Sequence, residues 1–198
     1  SPDTAVLVYA VNGSKTEIDA MTGEPVYTYE RETVGEYTDI SGHWAENAIK
    51  TLARFGIGFS GNEFKPDSEI TEKEFITLVT SAVADDSPIC ISKAEIDNFS
   101  TYAPISRGIL KKGEEATDNA VTRSKAALWF ARAMGYGDIA ELYQIFVTPF
   151  TDVTENVGAV AILSGLGVLK GTGDSTFSPD AHLTRAAAAT MIYNYYNK

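Results

Sequence analysis

The chain has 198 residues, 44% hydrophobic and 22% charged, with 16 basic against 27 acidic side chains and a net charge of −11. That is the profile of a globular chain long enough for one or two domains. The acidic balance argues against coating nucleic acid, because no basic excess is there to replace counterions on phosphates. It argues equally against electrostatic docking on an anionic membrane. No apolar run approaches the roughly 20 residues that span a bilayer, so no membrane insertion is expected. The opening at Ser1 has no leader and reads as a processed form or an excised piece. A single cysteine, Cys90, leaves no disulfide framework or paired-cysteine zinc site within the chain. With His43 and His182 the only histidines, a multi-histidine metal site is excluded, and no metal or cofactor is expected.

The first 36 residues read as strands. Val6-Leu7-Val8-Tyr9 is a β-branched and aromatic run followed by the turn dipeptide Asn12-Gly13. Thr16 to Ala20 alternates, Thr22-Gly23 makes the next turn, and Val26 to Tyr29 forms a third extended piece. Three short strands are marginal as a free-standing unit. They read as the end of a larger upstream domain or as strands covered by the rest of the chain.

From residue 37 the pattern is helical and repeats. Three segments place a threonine before an amphipathic helix: Ile70-Thr71-Glu72-Lys73-Glu74, Val121-Thr122-Arg123-Ser124-Lys125 and Leu183-Thr184-Arg185-Ala186-Ala187. Counted from each threonine, the apolar positions share one frame. They are Phe75, Leu78, Val79, Ala82 and Val83; Ala126, Trp129, Phe130, Ala133 and Met134; and Ala188, Met191, Ile192, Tyr195 and Tyr196. This is the i, i+3, i+4, i+7, i+8 stripe of an α-helix. Thr71, Thr122 and Thr184 stand at the N-cap position, and Thr71 with Glu74 spells a capping box. Upstream of two of the threonines lie matched elements, Tyr37-Thr38-Asp39 with Phe64-Lys65-Pro66 and Phe150-Thr151-Asp152 with Phe177-Ser178-Pro179. Each repeat has a shorter helix that ends in glycine: Trp44 to Gly56, Phe99 to Gly108 and Asn156 to Gly167. The chain divides into a β segment, 1–36, and three repeats, 37–84, 85–136 and 137–198. Asp85-Asp86-Ser87-Pro88 and Gly135-Tyr136-Gly137-Asp138 read as linkers. One helix pair cannot bury both its stripes, whereas three copies packed together can. The fold class is therefore mainly α.

These residues resemble the S-layer homology module. Its pattern runs Phe-x-Asp, Trp-Ala, a Gly-Ile/Val step, Phe-x-Pro, and Ile-Thr-Arg-Ala-Glu opening the second helix. The resemblance implies a non-catalytic, extracellular cell-wall anchor with three modules in a pseudo-threefold arrangement around a central three-helix bundle. It also implies grooves between modules that bind a secondary cell-wall polysaccharide, in its best-described form one carrying a ketal-linked pyruvate. The motif arginine then meets the acidic sugar at a helix N-terminus. A second stretch, Ile18-Asp19-Ala20-Met21-Thr22-Gly23-Glu24, resembles the close of a PepSY-type (YcdB/YcdC-like) extracellular domain, which makes an upstream domain of the same protein a second partner.

Carried over residue by residue, the motif arginines are Arg123 and Arg185; the first copy has Glu72 instead, which would repel an anion. Only the first copy keeps the motif glutamate, Glu74, with Lys125 and Ala187 at the matching positions. Trp44 is either a sugar-stacking platform or a core anchor of the first helix. Lys125 would assist an anion or stand in solvent, and Glu74 would cap its helix or touch the ligand. An enzyme is not expected, since no nucleophile motif is present and Asp85-Asp86 falls in a linker. Two functions stay open: a glycan-binding anchor, or a degenerate unit that keeps the fold for structural or protein contacts.

Overall fold

The computed structural model describes residues 14–18, 25–29, 34–83, 90–142 and 145–198. The chain forms two compact units, Ser1–Glu32 and Thr33–Lys198. In the first, β1 (Ser14–Ile18) and β2 (Pro25–Tyr29) form an antiparallel pair, with Ser14 opposite Tyr29 and Ile18 opposite Pro25. The expected strand at Val6–Tyr9 and the expected linker at Asp85–Pro88 lie outside the described residues.

The second unit runs α1 (Glu46–Arg54), β3 (Gly58–Phe59), α2 (Glu72–Val83), β4 (Cys90–Ile91), α3 (Lys93–Asp97), α4 (Tyr102–Ser106), α5 (Arg123–Ala133), α6 (Gly137–Ala140), α7 (Val157–Gly165) and α8 (Arg185–Tyr196). It is rich in helix and poor in strand; β3 and β4 add only a short parallel pair. The stripes of the three threonine-led helices all enter its core. Phe75, Leu78 and Val79 of α2, Ala126, Trp129 and Phe130 of α5, and Ala188, Met191 and Ile192 of α8 are all buried. At the end of the stripe in α8, Tyr195 is partly buried against Phe130, whereas Tyr196 is 49% exposed and its hydroxyl donates to the Ala82 carbonyl.

The helices preceding these three stop in one way. Gly56, Gly108 and Gly167 all adopt positive φ, near 70°, a region open to glycine without strain. The N–H three residues beyond the helix end then folds back: Ile57 donates to Leu52, Ile109 to Pro104 and Val168 to Leu163. Ile109 and Val168 are fully buried and Ile57 packs partly buried against the core, so each stop also brings an apolar side chain to the core.

Two local features differ from the reading of the sequence. The middle repeat carries an extra short helix, α3, ahead of the one read at Phe99 to Gly108, which is α4, and α3 starts on a capping box between Ser92 and Glu95. Ser92 followed three residues later by Glu95 is the signal for it. The stretch read as a linker at Gly135–Asp138 opens the short helix α6 at Gly137. Arg132 holds that turn in place. Its buried guanidinium donates to the Ile109 carbonyl and to the carboxylates of Glu114 and Glu141.

Candidate ligand-binding junctions

The residues just before the three cap threonines meet in a closed ring of backbone hydrogen bonds. Ile70 N–H donates to the Leu183 carbonyl, Leu183 N–H to Val121, and Val121 N–H to Ile70, at 2.9, 2.9 and 3.0 Å. All three side chains are buried. Each helix start is then finished by a loop from another segment. The first two N–H groups of α2 donate to Asn119 and Thr117, those of α5 to Ala181 and Pro179, and those of α8 to Ser68 and Pro66. The third N–H of each goes to its own threonine hydroxyl, Thr71, Thr122 or Thr184. An open helix N-terminus would offer free N–H groups to an anion. Here the first three are occupied in every case, so recognition at these ends falls to side chains.

The side chains follow one rule. The residue one past the threonine of one helix faces the residue three past the threonine of the next. Between α8 and α2, Arg185 donates to Glu74 at 2.6 Å and to the Phe64 carbonyl at 3.2 Å, with its guanidinium 4.0 Å above the Phe59 ring. The other Glu74 oxygen accepts from the Thr71 N–H, so this carboxylate both caps α2 and neutralises Arg185. Between α2 and α5 the signs are reversed. Glu72, only 6% exposed, pairs with Lys125 and accepts from both the N–H and the hydroxyl of Thr117 at 2.9 Å. Lys125 also lies 5.0 Å above the Trp129 ring.

Between α5 and α8 the third position is Ala187, and among the described residues no carboxylate forms an ion pair with Arg123. Arg123 donates instead to the carbonyls of Phe177 and Lys170, both at 2.8 Å, and lies 4.6 Å above the Phe177 ring. Burial pulls its guanidinium below the ordinary arginine value, and the Asp152 carboxylate nearby opposes this. Lys170 also lines an open cavity of about 400 Å³, floored by Phe150, Pro149 and Ala161.

Asp39 and Asp152 do matching work behind these arginines. Asp39 accepts from the Phe64 and Lys65 N–H groups, and Asp152 from those of Phe177 and Ser178, at 2.7–3.1 Å. They thereby hold the two carbonyls that Arg185 and Arg123 use. They also hold Lys65 and Ser178 at φ of 56° and 58°, a left-handed conformation costly for residues with a Cβ. The Phe177 and Ser178 N–H groups lower the Asp152 carboxyl below its ordinary value. Burial pushes Glu72 upward, but Lys125 and Thr117 outweigh it and leave it lowered. A carboxyl lowered in the folded state adds stability above its unfolded pKa and loses it as pH falls through the folded value. The melting midpoint is therefore expected to drop steeply below about pH 4, the ordinary carboxylate range. Asp152→Asn should flatten that drop, and midpoints measured from pH 6 to pH 2 check it.

Arg185 and Glu74 are thus brought together, as are Lys125 and Glu72, while Arg123 stands at a third junction. Trp44 is 66% exposed, just ahead of α1, with the His43 ring 5.3 Å away, so it does not anchor the core. Thr117 was not singled out from the sequence. Its signal is its register: it stands where the other two loops have Pro66 and Pro179, and it alone offers an N–H there.

Among the described residues no helix is long and apolar enough to cross a membrane. Residues 36–76 and 149–189 match the family model described as the S-layer homology domain. The chain is 37% identical over 83 residues to a surface layer protein of Brevibacillus choshinensis, covering 40% of this chain and 7% of that protein. It is 26% identical over 178 residues to an amylopullulanase of Thermoanaerobacterium thermosulfurigenes, covering 82% of this chain and 10% of that protein. It is 24% identical over 194 residues to the exoglucanase XynX of Acetivibrio thermocellus, covering 90% of this chain and 18% of that protein. The chain thus spans less than a fifth of the length of these relatives. The two segments that match this model, with relatives named for the surface layer and the cell wall, support an extracellular location at the cell surface.

Proposed function

We propose that the chain is a non-catalytic anchoring module built of three S-layer homology repeats in a pseudo-threefold arrangement, and that it binds an acidic secondary cell-wall polysaccharide at a junction between repeats. The ring through Ile70, Val121 and Leu183 supports counting the middle segment as a third repeat, because its hydrogen bonds follow the same register as those of the two matched segments. The observation that carries the binding reading is Arg123. It is a guanidinium fixed by two carbonyls and an aromatic face, with no carboxylate pairing it, beside an open cavity. Such a group is preorganised for a sugar carboxylate, which it meets with further N–H donors. Arg185 is the second candidate contact. The exposed Trp44 offers an aromatic face to a sugar ring, while Glu74 and Lys125 serve the junctions. The N-terminal β segment is the close of a PepSY-like domain, and the upstream part of the protein is the other partner.

The test is retention of the purified chain on cell-wall sacculi that keep their secondary polymer, beside sacculi stripped of it. Retention on intact sacculi only, weakened by added salt and lost in Arg123→Ala/Arg185→Ala while that variant still unfolds cooperatively, is expected. A folded wild-type chain that ignores both preparations would sink the anchor and favour a degenerate repeat unit serving protein contacts.

A further inference from the structure

Glu72, Lys125 and Thr117 are three departures from the pattern of the other junctions, and all three meet at one place. Arginine at the Glu72 position would face Lys125 with like charge. A proline at the Thr117 position would remove the N–H that Glu72 accepts. A buried carboxylate without donors is costly, yet here one oxygen takes Lys125 and the other takes both donors of Thr117. Glu72 also sits in the first turn of α2, where the helix dipole favours an acid. Next to it Lys73 pairs with Asp118 at 2.9 Å, tying α2 to the same loop.

We propose that the α2–α5 junction is a ligand groove closed from within: Glu72, Lys125 and Thr117 form one compensated exchange in which the chain's own carboxylate stands where the other junctions hold an arginine. The junction therefore takes no anionic polymer and instead fixes the pairing of α2 with α5. The reversed charges also discriminate between partners, since Arg185 or Arg123 set against Lys125 would repel. The binding half of this inference rests on the anchoring reading; the pairing half does not.

A charge-reversal cycle tests both. Glu72→Arg and Lys125→Glu are each expected to lower the melting midpoint by about 4–8 °C, since each leaves like charges together in a poorly solvated site. Glu72→Arg/Lys125→Glu is expected to return to within about 2 °C of wild type, because the new pair has the polarity of Arg185 and Glu74. It should also be held on polymer-bearing sacculi at higher salt than wild type, having gained a third arginine junction. Additive losses in the double variant would overturn the compensated exchange. Recovered midpoints with unchanged retention would overturn the closed groove while leaving the pairing intact. If the wild-type chain is not retained at all, the anchoring reading fails and takes the closed groove with it, and the midpoints alone decide the pairing.

Discussion

Removing residues 148–198 should leave a chain with no cooperative unfolding transition, even though α1 through α6 would still be present. The ring explains why. Ile70 N–H donates to Leu183 and Leu183 N–H to Val121, so deletion opens two of its three links. It also uncaps α5, whose first two N–H groups donate to Ala181 and Pro179. Each opened N–H is a polar group left at the margin of an apolar core, a cost of about 1–3 kcal/mol apiece where water does not reach it. The apolar loss is larger. Leu183, Ala186, Ala188, Ala189, Met191 and Ile192 are all buried, and their removal uncovers the apolar face of α1, against which α8 packs, and the Phe130 ring, which meets Tyr195. At about 1.5–3 kcal/mol for each large side chain returned to water, the deficit matches the whole stability of an ordinary domain, about 5–15 kcal/mol. Circular dichroism melting of the 34–147 fragment beside the 34–198 chain measures this. A sharp transition in the shorter fragment would show that two repeats close a core of their own.

What the sequence made legible was whatever depends on one helix at a time. The stripes from Phe75, Ala126 and Ala188 were readable because burial on a helix has a period of 3.6 residues. The threonine caps were readable because a cap needs only the three residues that follow it. Ser92 with Glu95 is equally local, a capping box that opens a short helix ahead of the Phe99 to Gly108 stretch. The junctions were not legible, because their logic couples residues 53 to 111 positions apart. Read alone, Glu72 is a lost arginine and Lys125 a stray cation. Set in register, they are one exchange. The supply of backbone N–H at the helix starts was misjudged for the same reason. Whether an N-terminus is open to an anion depends on loops that sequence does not place beside it.

The two motif arginines should separate into different phenotypes. Arg123→Ala removes a cation whose charge is not neutralised by a paired carboxylate, so its loss should fall mainly on anion binding. A charge-assisted contact is worth about 1.5–3 kcal/mol, which corresponds to roughly ten- to hundredfold in affinity for polymer-bearing sacculi. Arg185 is already paired. Its side chain is 18% exposed and its partner Glu74 14%, so an anionic ligand would have to share or displace that partner. Arg185→Ala would strand the Glu74 carboxylate in a mostly dry site, with only the Thr71 N–H still donating to it. Its loss should therefore fall mainly on stability, by about 2–4 kcal/mol, with affinity lowered less than tenfold. Arg185→Ala/Glu74→Ala should recover part of that stability, because no charge is then left alone. Denaturant unfolding and sacculus binding, run on all four proteins, give the comparison. Equal losses of binding from both single variants, with equal stability, would mean that Glu74 does not compete for Arg185 and that both junctions receive the polymer.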